Sequence, residues 1–473
     1  MSNKRISAGV SLIPLLVLIA LLSAVVRIFG SDALDGGSQV ALLLASGVVI
    51  AIAMLGYKVP WSSLEGAIAD NIKSIGTAVI ILLLIGAVAG TWMVSGIVPT
   101  LIYYGLKVLS PKIFLLAVCL ICALVSLMTG SSWTTVATIG TAFIGIGLAL
   151  GFSPGWTAGA IISGAYFGDK ISPLSDTTVL ASSVTETPLF THIRYMLITT
   201  VPSISIACII FLIASLLHQG GSPVVAAGFS EAIKGTFNIS GWLMLVPFIT
   251  GILIAKRLPA MITLSIAALL AAVAALIAQP DIIAEIGSGN SFKGVFISLY
   301  GNTSIETGYE ALDSLVQTKG MAGMLSTIFL IFCASTFGGT LKGSGMIQSL
   351  TDALTKHIKG RTSLVASTVG TGIFSNLVAG DQYLSIILTT SLYKKLYEDK
   401  GYESRLLSRS AEDSATVTSV LIPWNSCGMT QSTVLKVHTI EYLPYCFFNL
   451  ISPVMSILIA ALGYKITRRK VIS

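Results

Sequence analysis

Charge is what this sequence has least of. Only 10% of its 473 residues are Asp, Glu, Lys or Arg, against 54% hydrophobic, and the mean hydropathy is +0.88. A soluble domain carries about 25% charged residues, so a water-facing surface is excluded for most of the chain. The period-2 alternation of a membrane barrel is missing as well. No phosphate-binding glycine loop, nucleotide-binding domain or metal-ligand spacing occurs, so no catalytic constellation is expected and ATP is not expected to drive transport. The six cysteines lie mostly in apolar runs and read as small core residues, not a disulfide set. Cys119 and Cys122 have CxxC spacing, but no other ligand type lies nearby.

What the chain has instead is long apolar runs, such as 78–98 and 194–217. Stretches of about 20 apolar residues read as transmembrane helices. There are enough for roughly ten, so the fold class is an all-α polytopic membrane protein. The net charge of +7 is explained by the excess of Lys and Arg in cytoplasmic connections and does not require nucleic acid. The basic, then apolar N-terminus reads as an uncleaved first helix.

The two halves of the chain resemble each other. At an offset of 249, Gly90, Thr91, Ser95, Gly96 and Leu101 meet Gly339, Thr340, Ser344, Gly345 and Leu350. At 250, Gly130 meets Gly380 and Pro173 meets Pro423. The chain therefore divides into a first repeat (1–218), a connecting loop (219–240) and a second repeat (241–473). The connection 394–409 carries five Lys/Arg and its counterpart 144–159 none. Lys256 and Arg257 follow the first span of the second half, where the first half has Arg27, Asp32 and Asp35. Each half is basic where the other is not, which predicts inverted topology. With Lys4 and Arg5 inside, the basic connections 356–361, 394–409 and 465–470 share one face and both termini are cytoplasmic. Lys107 and Lys112 fall on the other. Amphipathic stretches at 61–76 and 290–300 read as helices lying in the interface.

Four polar blocks interrupt the apolar pattern: 126–135, 168–178, 375–385 and 411–433. Irregular backbone at membrane depth survives only inside protein or beside a water-filled cavity. Gly130, Pro173, Gly380, Pro423 and Gly428 are the expected breaks. Freed carbonyls and hydroxyls ligate a hard cation such as Na⁺, and helix N-termini hold anionic groups. Asp169, Asp176, Asp381, Glu412 and Asp413 lie in or beside these blocks, and an intramembrane carboxylate is expensive enough to imply function. Glu412 and Asp413 also fit a solvated position beside the basic connection. Lys170 suits a counter-ion or a group for a substrate carboxylate; Lys342 suits a membrane site or a side chain snorkelling from a helix end. The hydroxyls of 129–135 suit ion binding or close helix packing. His192, His218, His357 and His438 read as interfacial. Segments 113–128 and 131–150 fit two full spans or one re-entrant hairpin. Symmetric broken-helix halves argue for alternating access and against a channel.

At these blocks the sequence resembles a known family. "MTGSSWTTVATIG", "GDKISPLSDTTVLASSVTETPLFTHIRYMLITTVPS", "AGDQYLSIIL" and "PWNSCGMTQSTVL" are similar to the NhaC-type Na⁺/H⁺ antiporters of the ion transporter superfamily. The resemblance covers nearly the whole chain. It implies two inverted repeats, two re-entrant hairpins whose tips meet near the midplane, and a homodimer in the cell membrane working by an elevator-like movement. It also implies an ion gradient as energy source and no cofactor beyond Na⁺ and H⁺ as transported ions. Asp169, Asp176 and Asp381 would exchange protons for Na⁺, while Thr129, Ser131, Ser132, Asn376, Asn425 and Ser426 would complete the oxygen shell. The family includes malate/lactate antiporter-like carriers, so Na⁺- and H⁺-coupled exchange of an organic acid stays open as the alternative.

Overall fold

The computed structural model describes residues 6–29, 36–218, 223–256, 258–355, 358 and 360–466. Lys4, Arg5, Asp32, Asp35, Arg257, Lys356, His357, Lys359 and 467–473 lie outside the described residues. Among those described, the chain is helical apart from connections and isolated bridge residues, Thr303 pairing with Thr318. Among the described residues, nine helices are long and apolar enough to cross a bilayer, or up to eleven if two bent pairs each count as one span. Helices dominate because each satisfies its own backbone, which hydrocarbon cannot do.

Local structure repeats along the chain. Helices begin at Gly76 and Leu325 and at Ile97 and Met346, each pair 249 apart. Later, Ser132 and Gln382, Pro154 and Ser404, Asp176 and Ser426, and Leu189 and Thr439 each begin helices 250 apart. Gly96 and Gly345 both sit at positive φ, 80° and 77°, ending mate helices.

The halves also interlock. The amphipathic helix Trp61–Ser74 packs on Leu325–Gly343 of the second half, and Ser291–Tyr300 packs on Gly76–Val94 of the first. The spans Gly37–Ala51 and Ala260–Ala278 exchange partners in the same way. Glycine permits this closeness: a Cβ on Gly339 would lie 2.6 Å from the Ile68 Cα, and one on Gly86 2.9 Å from the Met321 Cα. Small residues let helix backbones meet where apolar side chains would hold them apart.

The connection expected as a loop over 219–240 is helical at Pro223–Thr236, and its 226–236 portion meets Gly241–Ile254 at 96°. Segments 113–128 and 131–150 emerge as Pro111–Thr129 and the continuous run Ser132–Ala149, 19 and 18 residues and both span-length by residue count. The second of these is the more enclosed, 83% buried.

Phe114–Thr129 lies along Pro154–Ile171 in a broad helix–helix contact built on Gly164 and Gly168. A Cβ on Gly168 would come within 2.6 Å of the Leu127 nitrogen and 2.8 Å of the Ser126 Cβ. Replacing a helical Gly by Ala normally favours the helix by about 1 kcal/mol. Here overpacking of about 1–3 kcal/mol opposes it. Gly168→Ala is therefore expected to lower the unfolding midpoint in detergent. Gly251→Ala, where nothing lies within 4 Å of the new Cβ, should leave it unchanged or slightly raised. An equal or higher midpoint for Gly168→Ala would show that the contact is not tight.

Candidate functional site

The polar blocks become helix breaks with side-chain caps. The helix Phe114–Thr129 ends at Gly130, left-handed at φ 65°, and Ser131 caps the next helix by accepting the Thr134 N–H at 3.2 Å. The helix Arg361–Ala379 ends at Gly380, also φ 65°, and Asp381 caps the next by accepting the Leu384 N–H at 3.0 Å. The other breaks match. Ser175 caps Asp176–Val184 after the turn at Pro173. Asn425 caps Ser426–Leu435 after the turn at Pro423, accepting from the Cys427 N–H at 3.1 Å. Ser131 and Asp381, like Ser175 and Asn425, are 250 apart. Each break frees donors that these caps satisfy.

Asp169 and Asp381 stand at the centre of two such breaks. Asp169 is 6% exposed and accepts the Ser132 N–H at 3.1 Å and the Ser132 hydroxyl at 2.8 Å. Asp381 is 5% exposed, and its second oxygen accepts the Ser426 hydroxyl at 3.2 Å. The Ser426 N–H donates to the Gly380 carbonyl at 2.7 Å, closing the second tip onto the second break. The contact between Ser132 and Asp169 has its mate in Ser419 and Gln382, whose side chains meet at 3.5 Å. Tyr383 lies within electrostatic reach of Asp169, Asp176 and Asp381, carboxylates from both halves. Cys427, from the second half, makes side-chain contacts with Tyr166 and Trp133 of the first.

The other expected residues fall into place around these. Thr129 donates to the Ser131 carbonyl at 3.1 Å and accepts its N–H at 3.0 Å, stiffening the first tip. Asn376 donates to the Ala415 carbonyl at 2.6 Å, and Asn425 donates to the Asn376 carbonyl at 3.2 Å. Gly428 packs on Ile422, where a Cβ would lie 3.0 Å from its carbonyl carbon. Asp176 opens its helix with an exposed side chain near Asp169. Lys342 is exposed in the last turn of Leu325–Gly343, away from both breaks.

A third cluster joins the halves. The fully buried Lys170 ammonium donates to Asp413 and, at 3.2 Å, to the Ser452 hydroxyl. Thr199 also donates to Asp413, at 3.0 Å. Glu412 and Asp413 are both 0% exposed, so the solvated position that sequence allowed them does not hold. Arg409, assigned on sequence to a water-facing connection, is likewise buried, stacked 4.8 Å over Tyr195 and 3.8 Å from Asp413. His192, expected at the interface, is buried with Nδ1 2.8 Å from the Ser408 hydroxyl. Polar partners stabilise Asp413 and His192 there, whereas neither Glu412 oxygen and no nitrogen of Arg409 makes a hydrogen bond. Ser175, Gln382, Tyr383, Ser419 and Arg409 were not singled out from sequence. The 250-residue offset that pairs Ser132 with Gln382 and Asp169 with Ser419 would have found two of them.

A polytopic helical protein with capped helix breaks, buried carboxylates and matched halves has the architecture of an ion-coupled secondary transporter. The chain belongs to the Na⁺/H⁺ antiporter family, whose model matches residues 5–179 and 164–464. It is 39% identical over 407 residues to the Na⁺/H⁺ antiporter NhaC of Alkalihalophilus pseudofirmus, covering 86% of each chain. It is 37% identical over 419 residues to the NhaC of Bacillus subtilis, covering 88% of this chain and 91% of that one. It is also 34% identical over 433 residues to the malate-2H⁺/Na⁺-lactate antiporter of Bacillus subtilis, covering 91% and 90%.

Removing one partner of a buried ion pair strands the other charge and costs about 3–5 kcal/mol. Lys170→Met should therefore lower the detergent unfolding midpoint sharply, and adding Asp413→Asn should recover part of the loss. A double variant no more stable than Lys170→Met would show that the two side chains are not coupled.

Proposed function

We propose that this chain is a secondary active antiporter that exchanges Na⁺ for H⁺ by alternating access. The observation that carries the reading is the pair of buried carboxylates, Asp169 and Asp381, each set at a capped helix break among hydroxyl donors. A carboxylate flanked by hydroxyls binds either a proton or a hard cation, and exchange requires only that binding of the one oppose binding of the other. The hydroxyls of Ser132 and Ser426 now donate to the carboxylates; with Na⁺ bound, their oxygens would turn lone pairs to the ion. Thr129, Ser131, Asn376 and Asn425 hold the tips in shape and offer further oxygens. Asp176 stands beside the entrance to this group.

The matched breaks and the alternating basic connections support two halves of opposite orientation, whose tips approach from opposite faces. The same connections support cytoplasmic termini. Family membership supports a place in the cell membrane and a homodimer whose hairpin-bearing part moves against a fixed scaffold.

A specific observation favours a second reading, exchange of a small organic acid with Na⁺ and H⁺. A cavity of about 740 Å³ runs along Ser426–Leu435. Lys319, Lys436 and His438 line it with the hydroxyls of Thr303, Thr327 and Ser432, and no carboxylate does among the described residues. That lining suits an anion better than a bare cation.

Transport by the purified protein in liposomes separates the readings. Na⁺ alone should drive proton efflux, and Asp381→Asn, which takes a charge from the group that would face the ion, should abolish it. Flux that requires malate or lactate would favour the second reading. Wild-type flux in Asp381→Asn would remove Asp381 from the site.

A further inference from the structure

We propose that Glu412 holds the coupled proton at a site separate from the Na⁺-facing carboxylates Asp169 and Asp381, an inference that rests on the exchange reading above. Glu412 is 0% exposed, yet neither of its oxygens accepts a hydrogen bond. The Thr416 hydroxyl, one turn on, is the neutral group that bears on it most directly, and it too is unpartnered. The two sit in a π-helical turn, Glu412–Thr416, continuing the helix Ser404–Ala411. Such turns re-aim consecutive side chains and concentrate at functional sites. Here the turn sends Asp413 to Lys170 and leaves Glu412 without a partner.

A carboxylate buried with no donor at either oxygen is an uncompensated charge in a closed interior. A proton cancels that charge by forming one O–H bond to one oxygen. Na⁺ is a poor fit at the same place, because a hard cation needs a shell of several oxygens. Lys170, Asp169 and Asp413 act on Glu412, and the buried Arg409 lies one turn before it, 3.8 Å from Asp413. Lys170 is a cation and would repel Na⁺. Helices Asp176–Val184, Arg361–Ala379, Gln382–Asp399 and Phe447–Leu462 also pack on this turn, and the first of them opens on the exposed Asp176.

The placement explains how a proton and a Na⁺ compete without sharing an oxygen. Asp169 and Lys170 are consecutive on one helix. Asp169 faces the Ser132 break and Lys170 faces the Glu412 cluster. An ionised Glu412 adds a negative charge within reach of Asp169 and favours Na⁺ there. A proton taken from water onto Glu412 removes that charge and weakens Na⁺ at Asp169; its release to water on the other side restores it. The coupling is reciprocal, as linkage between two binding sites must be.

The test uses the full chain in liposomes with ²²Na⁺ as the probe. Gln keeps the size of the protonated acid, so Glu412→Gln should fold and keep ²²Na⁺ self-exchange at equal pH. Its uptake of ²²Na⁺ driven by a pH gradient should fall by about a hundredfold. Its apparent Na⁺ affinity should lose most of its dependence on pH. Glu412→Asp should retain coupled exchange with a displaced pH midpoint, and it serves alone if the Gln variant does not fold. Wild-type coupling in Glu412→Gln, loss of self-exchange together with coupling in a folded Glu412→Gln, or an unmoved pH profile in Glu412→Asp would each overturn the inference. A wild-type protein that moves no ²²Na⁺ in response to a pH gradient would instead overturn the exchange reading, and this inference with it.

Discussion

The constraint on which the structure depends is that hydrocarbon offers no hydrogen bonds to a free backbone group. A continuous helix meets it unaided, and most of this chain is continuous helix. The four breaks do not, so each has a dedicated cap. Ser131, Ser175, Asp381 and Asn425 take the donors that open the following helices, and Gly130 and Gly380 turn the chain at positive φ. Once these caps are fixed, much of the site is fixed. Asp381 is itself a cap, and Asp169 accepts an N–H from the helix that Ser131 caps. The interior carboxylates are thus held by the same donors that make the interruptions tolerable.

A second constraint follows from burying charge. Lys170, Arg409, Glu412 and Asp413 are all fully enclosed, and no single half contains a neutral set. The first half supplies Lys170 and the second supplies the other three. Their pairing makes the two halves electrostatically dependent on each other. The exchanged packing of the amphipathic helices and spans makes them mechanically dependent as well. A change in the charge state of one cluster is therefore felt across the junction between the halves.

Much of this was legible in the residues. The break at Gly130, the mate relation to Gly380 and the polar blocks appear in sequence because a glycine at positive φ and a run of hydroxyls are conspicuous in an apolar chain. Residues whose role is relational were not legible. Arg409 reads as one of five basic residues in a cytoplasmic connection until the helix Ser404–Ala411 turns it inward. His192 reads as interfacial until Ser408 meets it. Glu412 and Asp413 are adjacent and chemically alike, and nothing in their sequence says that one has a lysine partner and the other has none.

The sequence by itself determined the solvent, the class of fold and where the helices break. Each of these depends on local composition or on spacing along the chain. Only the tertiary structure decided which buried charges meet, because an ion pair such as Lys170 with Asp413 joins residues 243 apart. Its geometry is set by how two interlocked halves pack, which no local pattern records.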